Sequence, residues 1–306
     1  MAMIPFKNAD GTVSMVRRRT PVYREVPGAV LQQPTPSAPF TINMPLKTYA
    51  KMLLFLTATA VAATRAQIAA QVVNIRVAVS GRELWVGTGA GLLALQQFYS
   101  QVDSATAYPG YVSFDFLRGW VMDRQDGQDA VLGLSDQATL QIEVTMGAGA
   151  TINGATIFAY NFQEPEQTGI ATRIVRLSPN VGATGLTIYP DLPPPRAGET
   201  LLAIHTYPPV VANLTRIGYV ADDVRIIDAT PSALNRMYVE AGQPRTPQDA
   251  NGQVTLDFTA LTGDPSDGVD MSRVAQHQLE FTFANAAPGT FVMLAEYASP
   301  ISGGNG

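Results

Sequence analysis

The sequence predicts an all-β protein built as two tandem jelly rolls, a double jelly roll, with short helices in the connecting loops. Three observations carry this. The stretches Asp123-Arg-Gln-Asp126-Gly127-Gln-Asp129 and Asp264-Pro-Ser-Asp267-Gly268-Val-Asp270 share the spacing D-x-x-D-G-x-D, 141 residues apart. Each copy is one step in a matched series. YVSFDF from Tyr111 or QVTLDF from Gln253 comes before it, and LQIEVTM from Leu140 or LEFTFAN from Leu279 after it; ATIFAYNF from Ala155 or GTFVMLAEY from Gly289 closes the series. Third, the strand-like segments are short, alternate in polarity and are separated by turn residues, as two packed antiparallel sheets require. The offsets between equivalent steps run 142, 141, 139 and 134, a drift that loop-length changes produce. A pair of generic β-sandwiches is the alternative.

Taken in order, residues 1–37 read as an extended arm, with prolines at 5, 21, 27, 34 and 36 and basic residues Lys7, Arg17, Arg18, Arg19 and Arg24. Such a stretch cannot build a core of its own. The first roll is expected over 38–163. It opens with FTINMP from Phe40, and the apolar run Met52 to Ala63 is too short to span a bilayer and reads as buried strand plus turn. VVNIRVAV from Val72 alternates, which places Val73, Ile75, Val77 and Val79 on one face. Ser80-Gly81 turns the chain, and Leu92, Leu95, Phe98 and Tyr99 show the spacing of a short helix.

Residues 164–198, rich in Pro and Gly, read as a linker that includes the first strand of the second roll, TRIVRL from Thr172. The second roll is expected over 199–306. TLLAIHT from Thr200 is a strand, as is Val224 to Ile227, matched here to VVNIRVAV. Thr230 then caps a helix with Pro231 at its first position, running through Leu234, Met237 and Tyr238.

Composition narrows the function. The 306 residues suffice for two cores. Charged residues make up 15%, against a usual share of roughly a quarter, so much of the surface is expected to be covered by other chains. A net charge of −5 argues against coating nucleic acid, and no specific nucleic-acid partner is expected. There is no cysteine, which removes disulfides, thiolate nucleophiles and cysteine zinc sites. Arg17 to Arg19 are not followed by the apolar core and cleavage site of a secretory signal, so a protein soluble when made is expected.

No catalytic or cofactor-binding residue is assigned. The two histidines, His205 and His277, are too few and too dispersed for the clustered ligands of a cupin enzyme. His205 reads as a core or interface histidine satisfied by backbone, His277 as a polar edge residue. Nucleophile-elbow, P-loop and dinucleotide fingerprints are missing from the sequence. The six carboxylates Asp123, Asp126, Asp129, Asp264, Asp267 and Asp270 are candidates for calcium, the one cofactor considered. Their spacing misses the EF-hand, and a local reading explains them: Asp129 and Asp270 cap helical turns, and Gly127 and Gly268 supply a left-handed conformation. Arg17, Arg18 and Arg19 are candidates for contact with an anionic partner, lipid headgroups or an acidic protein, where each contributes about 1 kcal/mol near a charged membrane.

With both modules in view, the chain resembles the double jelly-roll major capsid proteins, in particular the corticovirus-type coat protein of membrane-containing icosahedral bacteriophages. The residues that carry the likeness are VVNIRVAVSGREL from Val72 with the helix after it, YVSFDF, PDLPPPRAGETLLAIH from Pro190, and the closing LEFTF and FVMLAEY. The resemblance implies a non-enzymatic shell protein of the virion, made in the host cytoplasm. Three chains would form a homotrimer of six similar modules, a pseudo-hexamer, tiling with neighbouring capsomers over an internal membrane. The arm would lie at the inner face near minor capsid or membrane proteins. The competing function is a carbohydrate-binding or adhesion protein such as a spike. Its exposed aromatic platforms could come only from Trp85 and Trp120, both placed beside strand ends.

Overall fold

The computed structural model describes residues 3–7, 13–17, 21–25, 39–99, 110–116, 132–162, 170–190, 192–194, 198–241, 252–260 and 267–300. Strands β1 (Met3–Lys7) and β2 (Val13–Arg17) pair with each other. Strand β3 (Pro21–Glu25) instead pairs with β11 (Ile152–Phe162) and forms the edge of a larger sheet. Part of the stretch expected as an arm is therefore sheet. A proline opening an edge strand is tolerated because no ladder partner needs its missing N–H.

The first roll continues through β4 (Pro39–Met44), β5 (Thr48–Ala58), β6 (Val61–Ala62), helix α1 (Arg65–Gln71), β7 (Val72–Val79), β8 (Arg82–Gly87), helix α2 (Gly89–Phe98), β9 (Tyr111–Asp115), β10 (Leu140–Met146) and β11. One face runs β3-β11-β5-β9 and the other β4-β10-β7-β8. The second roll contains β12 (Ile170–Leu177), β13 (Asn180–Val181), β14 (Gly185–Tyr189), β15 (Thr200–Tyr207), β16 (Leu214–Ala221), β17 (Val224–Ala229), helix α3 (Pro231–Glu240), β18 (Val254–Asp257), β19 (Val269–Asp270), β20 (His277–Phe283), β21 (Gly289–Thr290) and β22 (Val292–Pro300). Its faces run β12-β22-β15-β18 and β14-β20-β16-β17. Both rolls use the same order of chain positions, two four-stranded sheets woven from distant strands, as a jelly roll requires.

Alternation builds each core. β10 turns Leu140, Ile142, Val144 and Met146 inward, and β20 does the same with Leu279, Phe281 and Phe283. Phe281, Phe283 and Phe291 form an edge-to-face and tilted cluster under the second roll. In β7 the expected alternation fails at its start: Val73 is 44% exposed and Val72 is buried. The ladder to β10 slips there, Thr145 facing Asn74 but Met146 facing Val72, so a bulge reverses the face that Val73 presents.

The helices follow their caps. The Thr88 hydroxyl accepts from the Gly91 amide and the Thr230 hydroxyl from the Ala233 amide, with Pro231 opening α3. Helix α1 has a complete capping box, Thr64 with Gln67, although its apolar flank reads from sequence as strand and turn. The stretch 164–198, expected as a linker, holds β12, β13 and β14 of the second roll. The proline-rich block from Pro190 lies between β14 and β15, inside that roll. β11 of the first roll ends at Phe162 and β12 of the second begins at Ile170; residues 163–169 lie outside the described residues.

Candidate functional site

The two rolls meet edge to edge. β8 of the first runs parallel to β12 of the second, with Trp85 opposite Ile174, so four strands of the first roll and five of the second, β19 included, lie in one continuous sheet. The Trp85 indole N–H donates to the Thr172 carbonyl at 2.7 Å, and the ring packs edge-on against Phe114 and Phe116. Trp85 is buried in the middle of a strand, not at a strand end, and offers no platform to a sugar. Trp120 lies outside the described residues.

Helix α2 wedges into the same junction because nearly every turn of it is apolar. Phe98 and Tyr99 stack edge-on against His205, and Phe98 also meets Tyr238 of α3. The Tyr99 hydroxyl donates to Glu296 Oε2 at 2.5 Å. His205 Nδ1 lies 2.9 Å from Thr255 Oγ1 and 3.1 Å from the Gln253 amide nitrogen, and its Nε2 faces Glu296 Oε2 at 3.3 Å. Side chains, not the backbone expected from sequence, satisfy this histidine. The Tyr207 hydroxyl donates to the Gly91 carbonyl, and burial, with Glu296 adding to it, raises its pKa so that it stays a donor.

A threonine, a histidine and a glutamate in series have the composition of a nucleophile, base and orienting acid. Here all three are buried, and the bonds join strands and helices instead of lining a cleft. Beside them, Arg173 pairs with Glu199 at 2.8 Å, Ser299 donates to the same carboxylate, and the guanidinium lies over the Tyr297 ring. The Tyr99–Glu296, Tyr207–Gly91 and Trp85–Thr172 bonds fasten the rolls together, while the Arg173–Glu199–Ser299 cluster braces the second roll from within.

His277 is also internal. Its Nδ1 accepts from the Tyr219 hydroxyl and its Nε2–H donates to the Pro193 carbonyl. The expectation of a polar edge residue fails because β20 is a central strand, flanked by β14 and β16.

Among the acidic candidates, Asp123, Asp126, Asp129 and Asp264 lie outside the described residues. Asp267 is exposed, and Asp270 caps the 3-10 turn Met271–Arg273: its carboxylate accepts from the Ser272 amide and hydroxyl and meets Arg273. The Ser272 bonds hold its pKa down. Among the described residues no group of three or more acidic, histidine or cysteine side chains is gathered as a metal set. Gly268 does not take the left-handed conformation expected of it. A Cβ there would meet the Leu201 carbonyl oxygen at 2.7 Å and Thr200 Cγ2 at 2.6 Å, so close backbone approach requires the glycine. Arg17 ends β2; Arg18 and Arg19 lie outside the described residues. Exposed apolar side chains sit on the outer strands of the second roll: Leu186 and Ile188 on β14, Val224 and Ile226 on β17.

Two jelly rolls joined through one sheet and by buried bonds define the class of fold, a double jelly roll. The chain is similar to the major capsid protein P2 of bacteriophage PM2, with a TM-score of 0.75 at 18% identity over 92% of this chain and 98% of that one. It is also similar to the STIV MCP, with a TM-score of 0.64 at 12% identity over 91% and 97% of the two chains. PBCV-1 VP54, fitted into a reconstruction of the virophage Sputnik, gives a TM-score of 0.61 at 10% identity over 97% and 99%. No curated protein sequence matches the chain. Family models match both halves, the viral coat protein P2 N-terminal domain over residues 34–163 and its C-terminal domain over residues 170–301. The chain belongs to the viral coat protein P2 family, and its place is the capsid of a virion.

Proposed function

We propose that three copies of this chain form one capsomer of six similar rolls, and that these capsomers tile an icosahedral shell over an internal membrane. One observation carries the reading: a single chain presents two rolls of the same strand order, side by side in one sheet. A unit that already repeats itself at one module spacing needs only a threefold operation to supply six. The low charged share of 15% supports it, since buried contact between copies requires a surface poor in charge.

The segment before β3, with Arg17, Arg18 and Arg19, would face lipid headgroups or minor capsid and membrane proteins at the inner side. The chain would be made in the host cytoplasm before assembly. Mass measurement of the purified chain in solution tests the capsomer. The reading expects a stable species of three times the chain's 32.7 kDa; a monomer at every concentration up to that of assembly contradicts it.

A further inference from the structure

The first two strands form a ladder of their own. Among the described residues β1 and β2 pair only with each other, whereas every later strand of five residues or more joins a larger sheet. They also precede the family match, which begins at residue 34. A lone two-stranded ladder is marginal in water, so it needs a surface to lie on.

The register shows what kind of surface. Ile4 stands opposite Val16 and Phe6 opposite Ser14, so these four share one side of the ladder. Met3, Pro5 and Lys7 share the other side with Arg17, Met15 and Val13. The first side carries no charge, and on the second Lys7 and Arg17 sit at opposite ends. Seven of the ten ladder residues are apolar and none is acidic, so neither side has the polar character of a free arm in water.

Charge separates this segment from the rest of the chain. Residues 1–19 hold Lys7, Arg17, Arg18 and Arg19 against Asp10, a balance of +3, so the chain's −5 leaves −8 for residues 20–306. An acidic body with a basic, apolar tip selects an anionic partner that also accepts apolar groups. Nucleic acid meets the first condition only; an anionic lipid surface meets both. Length sets the depth. Five residues per strand reach about 17 Å, short of the roughly 30 Å hydrocarbon core, and the open edges of a two-stranded ladder cannot go unpaired within it. The hairpin fits the boundary between headgroups and acyl chains.

We propose that the β1–β2 hairpin is a lipid-binding element. It lies flat on an anionic bilayer with the uncharged side of Ile4, Phe6, Ser14 and Val16 in the acyl boundary, and Lys7 and Arg17 to Arg19 hold it at the headgroups. This deepens the reading of the segment before β3 given above, and the presence of a bilayer beneath the shell rests on that reading.

Flotation of the full-length chain with vesicles tests it, using phosphatidylcholine alone and an equal mixture with phosphatidylglycerol. The wild type is expected to float with the mixture and not with phosphatidylcholine alone. Phe6→Ser with Val16→Ser should weaken binding about tenfold or more, and Arg17→Gln, Arg18→Gln and Arg19→Gln together about a hundredfold. Val61→Ser, at a 69% exposed position of β6, should bind as the wild type does. Because the chain has no cysteine, Phe6→Cys can carry a single environment-sensitive dye. Its emission should shift to the blue on vesicles, while the same dye on Val61→Cys stays unchanged. The hairpin pairs with neither roll, so each variant should melt as the wild type does; early melting would place the hairpin on a roll and overturn the proposal. No flotation of the wild type, equal flotation of the Phe6→Ser, Val16→Ser double variant, or an unshifted dye at position 6 overturns it as well. So does retention of duplex DNA in preference to vesicles. The capsomer is judged separately, by its mass, and stands through each of these failures.

Discussion

His277 sits where a proton is unwelcome. Burial lowers its pKa, against the opposing pull of the Pro193 carbonyl and Asp222. Such a histidine binds a proton more weakly in the folded than in the unfolded chain. Its contribution to stability is therefore intact above the unfolded pKa of about 6.5 and declines as pH falls below it toward the folded value. Between pH 7 and 5 the melting temperature should fall further in the wild type than in His277→Gln, which keeps an N–H for Pro193. Parallel curves for the two proteins contradict this. At Gly268 the space is filled by Leu201 backbone, so Gly268→Ala should lose about 1–3 kcal/mol in denaturant unfolding, and an unchanged midpoint would count against the close approach. Breaking the buried Arg173–Glu199 pair with Glu199→Ala should cost about 3–5 kcal/mol by the same measurement. None of these roles is legible in sequence. A glycine in a D-x-x-D-G-x-D run invites a turn conformation, and only the neighbouring strand reveals that it is there for room.

At the scale of elements, local chemistry is readable wherever it is self-contained. Thr230-Pro231 announces α3 because cap and first position are adjacent, and α2 is announced by its apolar spacing. Thr88→Ala and Thr230→Ala should each cost about 1 kcal/mol, measured by denaturant unfolding, as equivalent caps at equivalent corners. A cost at one site alone would argue that the corners differ. Pairing was harder to read. VVNIRVAV matches β16, not the Val224–Ile227 segment, whose counterpart is β8. The reason is physical: β8 and β17 are short, bulged strands without clean alternation, so periodicity does not tell which arm of its hairpin a segment forms. The bulge in β7 likewise hides the exposure of Val73, because a shift of one residue flips the face.

For the whole molecule, the double roll was written in the sequence as a repeat, while its fastening was not. Tyr99 and Glu296 are 197 residues apart in the chain, and nothing local marks either as the other's partner. Because one sheet continues from roll to roll and α2 is buried at the joint, the two rolls should unfold as one cooperative unit. A calorimetric scan with two resolved transitions contradicts that coupling. The central claim concerns what the joined rolls build, and imaging assembled particles that contain this chain by electron cryomicroscopy addresses it most directly. The account predicts six-lobed capsomers, each holding three copies of the chain and tiling a closed shell. Copies found singly, projecting as spikes from a shell made of another protein, would contradict it.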